Sequence, residues 1–282
     1  MSKVSIIIPC YNKELYVSEA IESALAQTFK DIEIVVVNDG SSDNSTEVIK
    51  KYEDKIHFIN LDKNEGVVNA RKLAIEKASG EYILPLDADD TIEPTYVEKA
   101  VKILEENKEI GVVYCKVKFF GDKNGNLTCP EFDEDYFLYH SGVSSSSMFR
   151  KKDFIKCGGY RDYMKNGCED WDLWLYFYEN GFKFYRIPEN LLNYRKFDDS
   201  SSRTTVQKEN SKELWALVVR NHLDLYLNND KIYKTLFEKQ KDPIKKLKKK
   251  IKKLSCIVWA ILVLEIIQIV LFGIYIFMKG IS

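Results

Sequence analysis

Histidine and proline are scarce in this chain, three and six in 282 residues, and the six cysteines form no Cys-x-x-Cys pair. That excludes a clustered zinc site and a disulfide scaffold, and it predicts a reducing compartment. With 42 basic and 43 acidic residues the formal net charge is -1, so nothing draws the whole chain toward nucleic acid. Neither a Gly-x-Gly-x-x-Gly turn nor a Gly-x-x-x-x-Gly-Lys loop occurs, and the first apolar segment ends instead in Pro9-Cys10-Tyr11-Asn12. Dehydrogenase and P-loop readings are therefore excluded. Met1-Ser2-Lys3-Val4 runs straight into that segment, which predicts no signal peptide and a folded part on the cytosolic side.

What is present is a strand–helix alternation over the first 110 residues. Strands are expected at Val4–Ile8, Ile32–Val37, Ile56–Leu61 and Tyr82–Leu86, with helices at Tyr16–Gln27, Ser45–Tyr52, Val67–Lys77 and Pro94–Glu106. Ser-Ile-Ile-Ile and Ile-Glu-Ile-Val-Val-Val are almost unbroken β-branched runs, the pattern of strands covered on both faces. The expected fold class is α/β, a doubly wound and mostly parallel sheet flanked by helices. Beyond residue 110 the pattern loosens into a strand at Val112–Phe120, turn signals and a serine-rich stretch, expected to extend the same sheet. At 45% hydrophobic residues the chain can bury one large core, or one core and a small appendage.

Leu84-Pro85-Leu86-Asp87-Ala88-Asp89-Asp90 drives an apolar run directly into three carboxylates. Ligands of open α/β sheets bind at carboxyl ends of strands, and oxygens at i and i+2 suit one Mg²⁺ or Mn²⁺ with positions left for substrate phosphate. The same residues also suit a turn and helix cap before Pro94, and the stretch alone leaves both readings open. Tyr11 and Asn12 suit a nucleobase as well as they suit an ordinary turn. Asp39, in Val37-Asn38-Asp39-Gly40, falls at the same sheet edge as Asp87, as a nucleotide acceptor or an Asp-Gly turn.

Four segments occur in order: Ser5-Ile-Ile-Ile-Pro9-Cys-Tyr11-Asn12-Lys-Glu14, Val37-Asn-Asp39-Gly-Ser-Ser-Asp43, Asn64-Glu-Gly66-Val-Val-Asn-Ala-Arg71 and Leu86-Asp87-Ala88-Asp89-Asp90. Together they resemble the family 2 glycosyltransferases, inverting enzymes with the GT-A fold that include bacterial surface-polysaccharide enzymes; the resemblance covers roughly residues 3 to 200. It implies that Pro9, Tyr11, Asn12, Glu14, Asp39, Gly66, Arg71, Asp87 and Ala88 line the nucleotide-sugar pocket. Asp87 and Asp89 would match the Asp-x-Asp element that holds a divalent cation on the donor diphosphate, Asp89 directly and Asp87 shared with the ribose, leaving Asp90 as a cap.

In Glu169-Asp170-Trp171-Asp172-Leu173-Trp174 the acids fall in a first helical turn, whose dipole keeps a carboxylate ionised, so Asp170 reads equally as a base and as an N-terminal charge. The resemblance implies the base. Glu169, Trp171 and Arg195 are weaker candidates for acceptor or diphosphate contact, and one of Trp171 and Trp174 is expected in the core. In Tyr194-Arg195-Lys196-Phe197, Phe197 stands where the family often has histidine.

A transferase domain over residues 1–240 is expected, then a basic amphipathic linker at 241–254, where Asp242–Lys253 carries seven lysines. Residues 255–278 are apolar apart from Glu265 and Gln268, and about 24 residues would span ~36 Å as a helix. A single-pass transmembrane helix is expected, with the catalytic part at the cytoplasmic face of the cell membrane. The predicted activity is metal-dependent transfer of a sugar from a nucleoside diphosphate sugar, a UDP-sugar foremost, to a hydroxyl of a glycan or lipid-linked glycan. The alternatives are a sugar-1-phosphate nucleotidylyltransferase and a non-catalytic scaffold at the membrane.

Overall fold

A computed structural model describes residues 2–127, 129–198 and 211–229, together with Lys252. The chain divides into a unit at Met1–Leu223 and another at Asp224–Ser282. The first half follows the alternation: β1 (Val4–Cys10), α1 (Val17–Leu25), β2 (Ile32–Asn38), α2 (Ser45–Lys50), β3 (His57–Asn60), α3 (Val67–Lys77) and β4 (Tyr82–Pro85). These strands pair in parallel in the order β3-β2-β1-β4, with Val4 opposite both Ile32 and Tyr82. Every residue of β1 is buried. Such a strand needs helices on both faces, and the helices contribute apolar stripes such as Val17, Ala20, Ile21 and Ala24 of α1.

The second half contains β5 (Thr91–Ile92), α4 (Tyr96–Glu106), β6 (Ile110–Gly121), β7 (Gly125–Leu127), α5 (Glu134–Tyr139), β8 (Met148–Arg150) and α6 (Lys151–Lys156). It ends with a 3-10 turn (Asp162–Met164), α7 (Glu169–Glu179), β9 (Lys183–Lys196) and α8 (Ser211–Asn221). A short helix at Leu223–Asn228 follows. Here the expected mostly parallel sheet is corrected to a mixed one. Short β8 enters antiparallel between β4 and β6, while β5 runs antiparallel to β9. Strands of two or three residues carry no apolar run to announce them. Arg150 locks β8 in place: buried, it donates to the carbonyls of Ile110 at 2.7 Å, Asn107 at 3.0 Å and Leu104. The long β9 follows β6 in parallel through register shifts, and β5 brings the loop after β4 beside it.

The membrane-spanning helix is also corrected. Among the described residues no helix is long and apolar enough to cross a membrane. The longest have 11 residues, ~17 Å of helix against ~30 Å of hydrocarbon. The apolar stretch 255–278 and, save Lys252, the basic stretch 241–254 lie outside the described residues. The single-pass cell-membrane placement drawn from them is accordingly not sustained.

His222 supplies a structural link. It is buried, and its ring nitrogens lie 3.3 Å from Asp172 and 3.0 Å from Glu179, both on α7. Neither contact is aligned as a directed hydrogen bond, yet both are at ion-pair distance. Burial opposes the imidazolium, but the two carboxylates raise its pKa above the ordinary value. A raised pKa stabilises the fold below the unfolded-state value of about 6.5, and that stabilisation is lost as pH rises through the folded-state value. The thermal midpoint of the wild type relative to His222→Gln is therefore expected to fall between pH 6 and pH 8; a constant difference would exclude this linkage.

Candidate active site

The carboxyl ends of β1, β2 and β4 face one side because the strands are parallel, and three loops meet there. After β1, Asn12 adopts φ 52° and its side-chain oxygen accepts from the Ser42 amide at 2.8 Å, while its own amide donates to Ser41 Oγ at 2.9 Å. Glu14 accepts from the Asn44 amide at 2.7 Å, and Asp43 accepts from the Glu14 amide at 3.0 Å. The residues expected to line a pocket thus also stitch the β1–α1 loop to the β2–α2 loop. Tyr11, 46% exposed, presents its ring at the surface beside them, whereas Pro9 is buried in β1.

Asp39 is buried, and its two oxygens accept from the amides of Glu65 at 2.7 Å and Gly66 at 2.9 Å. Gly66, φ 93°, is the residue before α3, so the carboxylate meets the positive end of that helix. The turn at Gly40 passes so close to the 63–64 backbone that a Cβ would lie 2.3 Å from the Lys63 carbonyl carbon. Only glycine fits there.

From α3, Arg71 reaches the end of β4. It is 1% exposed and donates to Asp87 at 2.6 Å and to Glu169 at 2.8 Å. Burial disfavours its charge, but Asp87, the Tyr160 phenol and Glu169 raise its pKa well above the usual range. Burial beside these groups likewise raises the Tyr160 phenol. Arg71 therefore joins the donor-side carboxylate to the start of α7. The turn into α7 passes through Gly167 and Cys168, both at positive φ, and puts Glu169, Asp170 and Asp172 in the first helical turn. Arg71, Asp87, Glu169 and Asp170 line one cleft of about 400 Å³, with Phe119, Tyr136, Val143, Ser144, Tyr194 and Lys196 on its other walls.

Other candidates are placed differently. Ala88 is buried below the loop, and Asp90, expected as a cap, is buried with its carboxylate accepting from the Arg195 amide at 2.8 Å. Burial, then Asp87 and Asp89, pushes the Asp90 pKa well up. The residue preceding α4 is Thr95, so Asp90 ties the β4 loop to β9 and caps no helix. Arg195 is engaged by the Asp89 carbonyl at 2.9 Å and Glu19 at 2.7 Å, and it stacks on Tyr16 and Phe120. Trp171 turns into the core, with its indole N–H on the Phe137 carbonyl at 2.9 Å. Trp174 is fully buried.

Asp89 is bound by a residue that the motif reading passed over: Lys13 Nζ lies 2.6 Å from its Oδ2. The signal was the position of Lys13, directly after Asn12 at the end of the neighbouring strand. Phe197 packs 5.3 Å from the Tyr16 ring. Among the described residues no group of three or more His, Cys, Asp and Glu side chains is placed to hold a metal by itself. Asp87 and Asp89 remain two partly exposed hard-oxygen donors at a strand end. That set fits Mg²⁺ or Mn²⁺ completed by substrate oxygens.

Fold and cleft define a class, the GT-A-type α/β glycosyltransferases. The chain superposes on S. aureus TarS 1–349 in complex with UDP-GlcNAc with a TM-score of 0.66 and 24% identity, covering 81% of this chain and 67% of that one. It spans only 40% of a longer TarS structure. The Pyrobaculum calidifontis mannosyltransferase PcManGT, in complex with GDP-Man and Mn²⁺, matches with a TM-score of 0.60 and 17% identity over 81% and 70% of the two chains.

The chain belongs to glycosyl transferase family 2, whose model matches residues 5–171. An uncharacterised glycosyltransferase of Rickettsia prowazekii is 33% identical over 232 residues, 76% of this chain and 70% of its own length. The putative glycosyltransferase EpsE of Bacillus subtilis is 30% identical over 71% of this chain and 76% of its own.

Proposed function

We propose that this enzyme transfers a sugar, with inversion, from a nucleoside diphosphate sugar to a hydroxyl of a glycan or lipid-linked glycan. The observation that carries this reading is that Asp87 and Asp170 line one cleft, joined through Arg71 and Glu169. Tyr11, Asn12, Glu14, Asp39 and Gly66 form the nucleotide end, and the fold is shared with a protein whose structure contains UDP-GlcNAc, so a UDP-sugar is the first donor to test. Asp89, with Asp87, would hold Mg²⁺ or Mn²⁺ against the diphosphate. Bound there, the cation supplies positive charge to the leaving group.

Asp170 accepts the proton of the acceptor hydroxyl as its oxygen bonds to the anomeric carbon, and the bond from that carbon to the diphosphate oxygen breaks on the opposite side. The helix dipole at the start of α7 favours the ionised carboxylate before transfer. Arg71 fixes where Asp87 stands relative to α7, and the apolar and aromatic cleft wall excludes water that would compete with the acceptor.

A screen of UDP- and GDP-sugars with Mn²⁺, against EDTA controls, tests the reading. Slow release of nucleoside diphosphate from one donor, suppressed by EDTA, is the expected result. Release of pyrophosphate from a sugar 1-phosphate and a nucleoside triphosphate would overturn it in favour of a nucleotidylyltransferase.

A further inference from the structure

Lys13 is firmly placed at its backbone and lightly held at its tip. Its amide donates to Ser45 Oγ at 2.9 Å, and its carbonyl accepts from the amides of Tyr16 and Val17 at 3.0 and 2.9 Å. The loop residues on both sides are tied to the β2–α2 loop. The side chain is 32% exposed, and its ammonium rests on Asp89 at 2.6 Å with the Phe197 ring centroid at 5.2 Å. A part-exposed ion pair of this kind is weak enough to exchange, and the aromatic face gives the ammonium a second contact. Asp89 is the carboxylate assigned above to the divalent cation. One carboxylate oxygen cannot serve an ammonium and a metal in the same place.

We propose that Lys13 is an internal counter-ion that occupies Asp89 in the donor-free enzyme and yields it when a cation arrives already chelated to a diphosphate. The inference rests on the proposed cation role of Asp89. Free cation meets a site that is already neutralised and gains little. A cation–diphosphate complex brings oxygen anions to which the displaced ammonium can turn, so the protein selects the complex over the bare ion. The like charge of Lys13 beside an incoming divalent cation strengthens that selection.

Manganese titration followed by electron paramagnetic resonance, on the full chain with and without UDP, tests this directly. Lys13→Met is expected to tighten binding of Mn²⁺ alone by roughly three- to tenfold and to shrink the extra affinity contributed by UDP. Lys13→Arg, which keeps the charge, is expected to behave as wild type and serves as the folded control. Mn²⁺ binding that is unchanged or weaker in Lys13→Met, while Asp89→Asn still abolishes it, overturns the role of Lys13 and leaves the metal reading intact. Mn²⁺ binding that ignores Asp89→Asn, or that is absent from every variant even with UDP, overturns the metal reading itself and this inference with it.

Discussion

Asp170→Asn is expected to lower the rate of glycosyl transfer roughly a hundred- to ten-thousandfold while leaving nucleotide affinity within about twofold. The amide has the shape of the carboxylate and keeps the acceptor for the Trp171 amide, which donates to Asp170 at 2.8 Å, so the first turn of α7 should persist. What is lost is a group able to take a proton. Donor contacts assigned to the ends of β1, β2 and β4 do not involve Asp170, and for that reason the loss falls on turnover and spares nucleotide binding. Single-turnover transfer and calorimetric titration with nucleoside diphosphate separate the two quantities. A variant that transfers at the wild-type rate would remove Asp170 as the base, and one that no longer binds nucleotide would move its role to the donor side.

Arg71→Met is expected to destabilise the domain by about 3–5 kcal/mol, because it removes the shared cation from two carboxylates while leaving them in place. For a unit of this size that corresponds to a fall of roughly 6–20 °C in the thermal midpoint. Glu169 is 5% exposed and cannot turn to water, so most of the penalty falls on it; Asp87, 30% exposed at its side chain, can hydrate. The double variant Arg71→Met with Glu169→Gln should regain part of the loss, since the buried charge that Arg71 balanced has gone. Lysine should rescue poorly, as one ammonium cannot reproduce the fork that reaches two carboxylates. A midpoint shift under about 3 °C for Arg71→Met would show that the two acids are stabilised by other groups.

Legibility of the fold in the sequence followed local signal strength. α3 was expected at Val67–Lys77 and occupies those residues, because a Gly at its start and an apolar spacing along it are local properties. β1 and β2 are announced by apolar β-branched runs, and β4 by a short apolar segment, Tyr82-Ile83-Leu84. β8, with three residues, and β5, with two, are not, and together with β7, antiparallel to β6, they convert the parallel sheet into a mixed one. The placement of β8, for example, depends on the contacts of Arg150 with carbonyls 40 and 43 residues away, which no window of sequence displays. Length and hydropathy mark 255–278 as a membrane helix; that stretch lies outside the described residues, among which no helix is long and apolar enough to cross a membrane.

From sequence alone came the strand ends, and with them the placement of Asp39 and Asp87 on one edge, since parallel strands must point their carboxyl ends the same way. The ordered motifs likewise identified the glycosyltransferase family without any coordinates. Tertiary structure decided how these charges are partnered. Arg71 lies 98 residues from Glu169, and Lys13 lies 76 residues from Asp89; Asp90 meets the amide of Arg195 across 105 residues. A motif states which charged groups are present, but its period says nothing of which opposite charge the fold brings within 3 Å. That distance fixes whether a carboxylate is held by a neighbour or left to a substrate, and the roles of Lys13, Arg71 and Asp90 all turn on it.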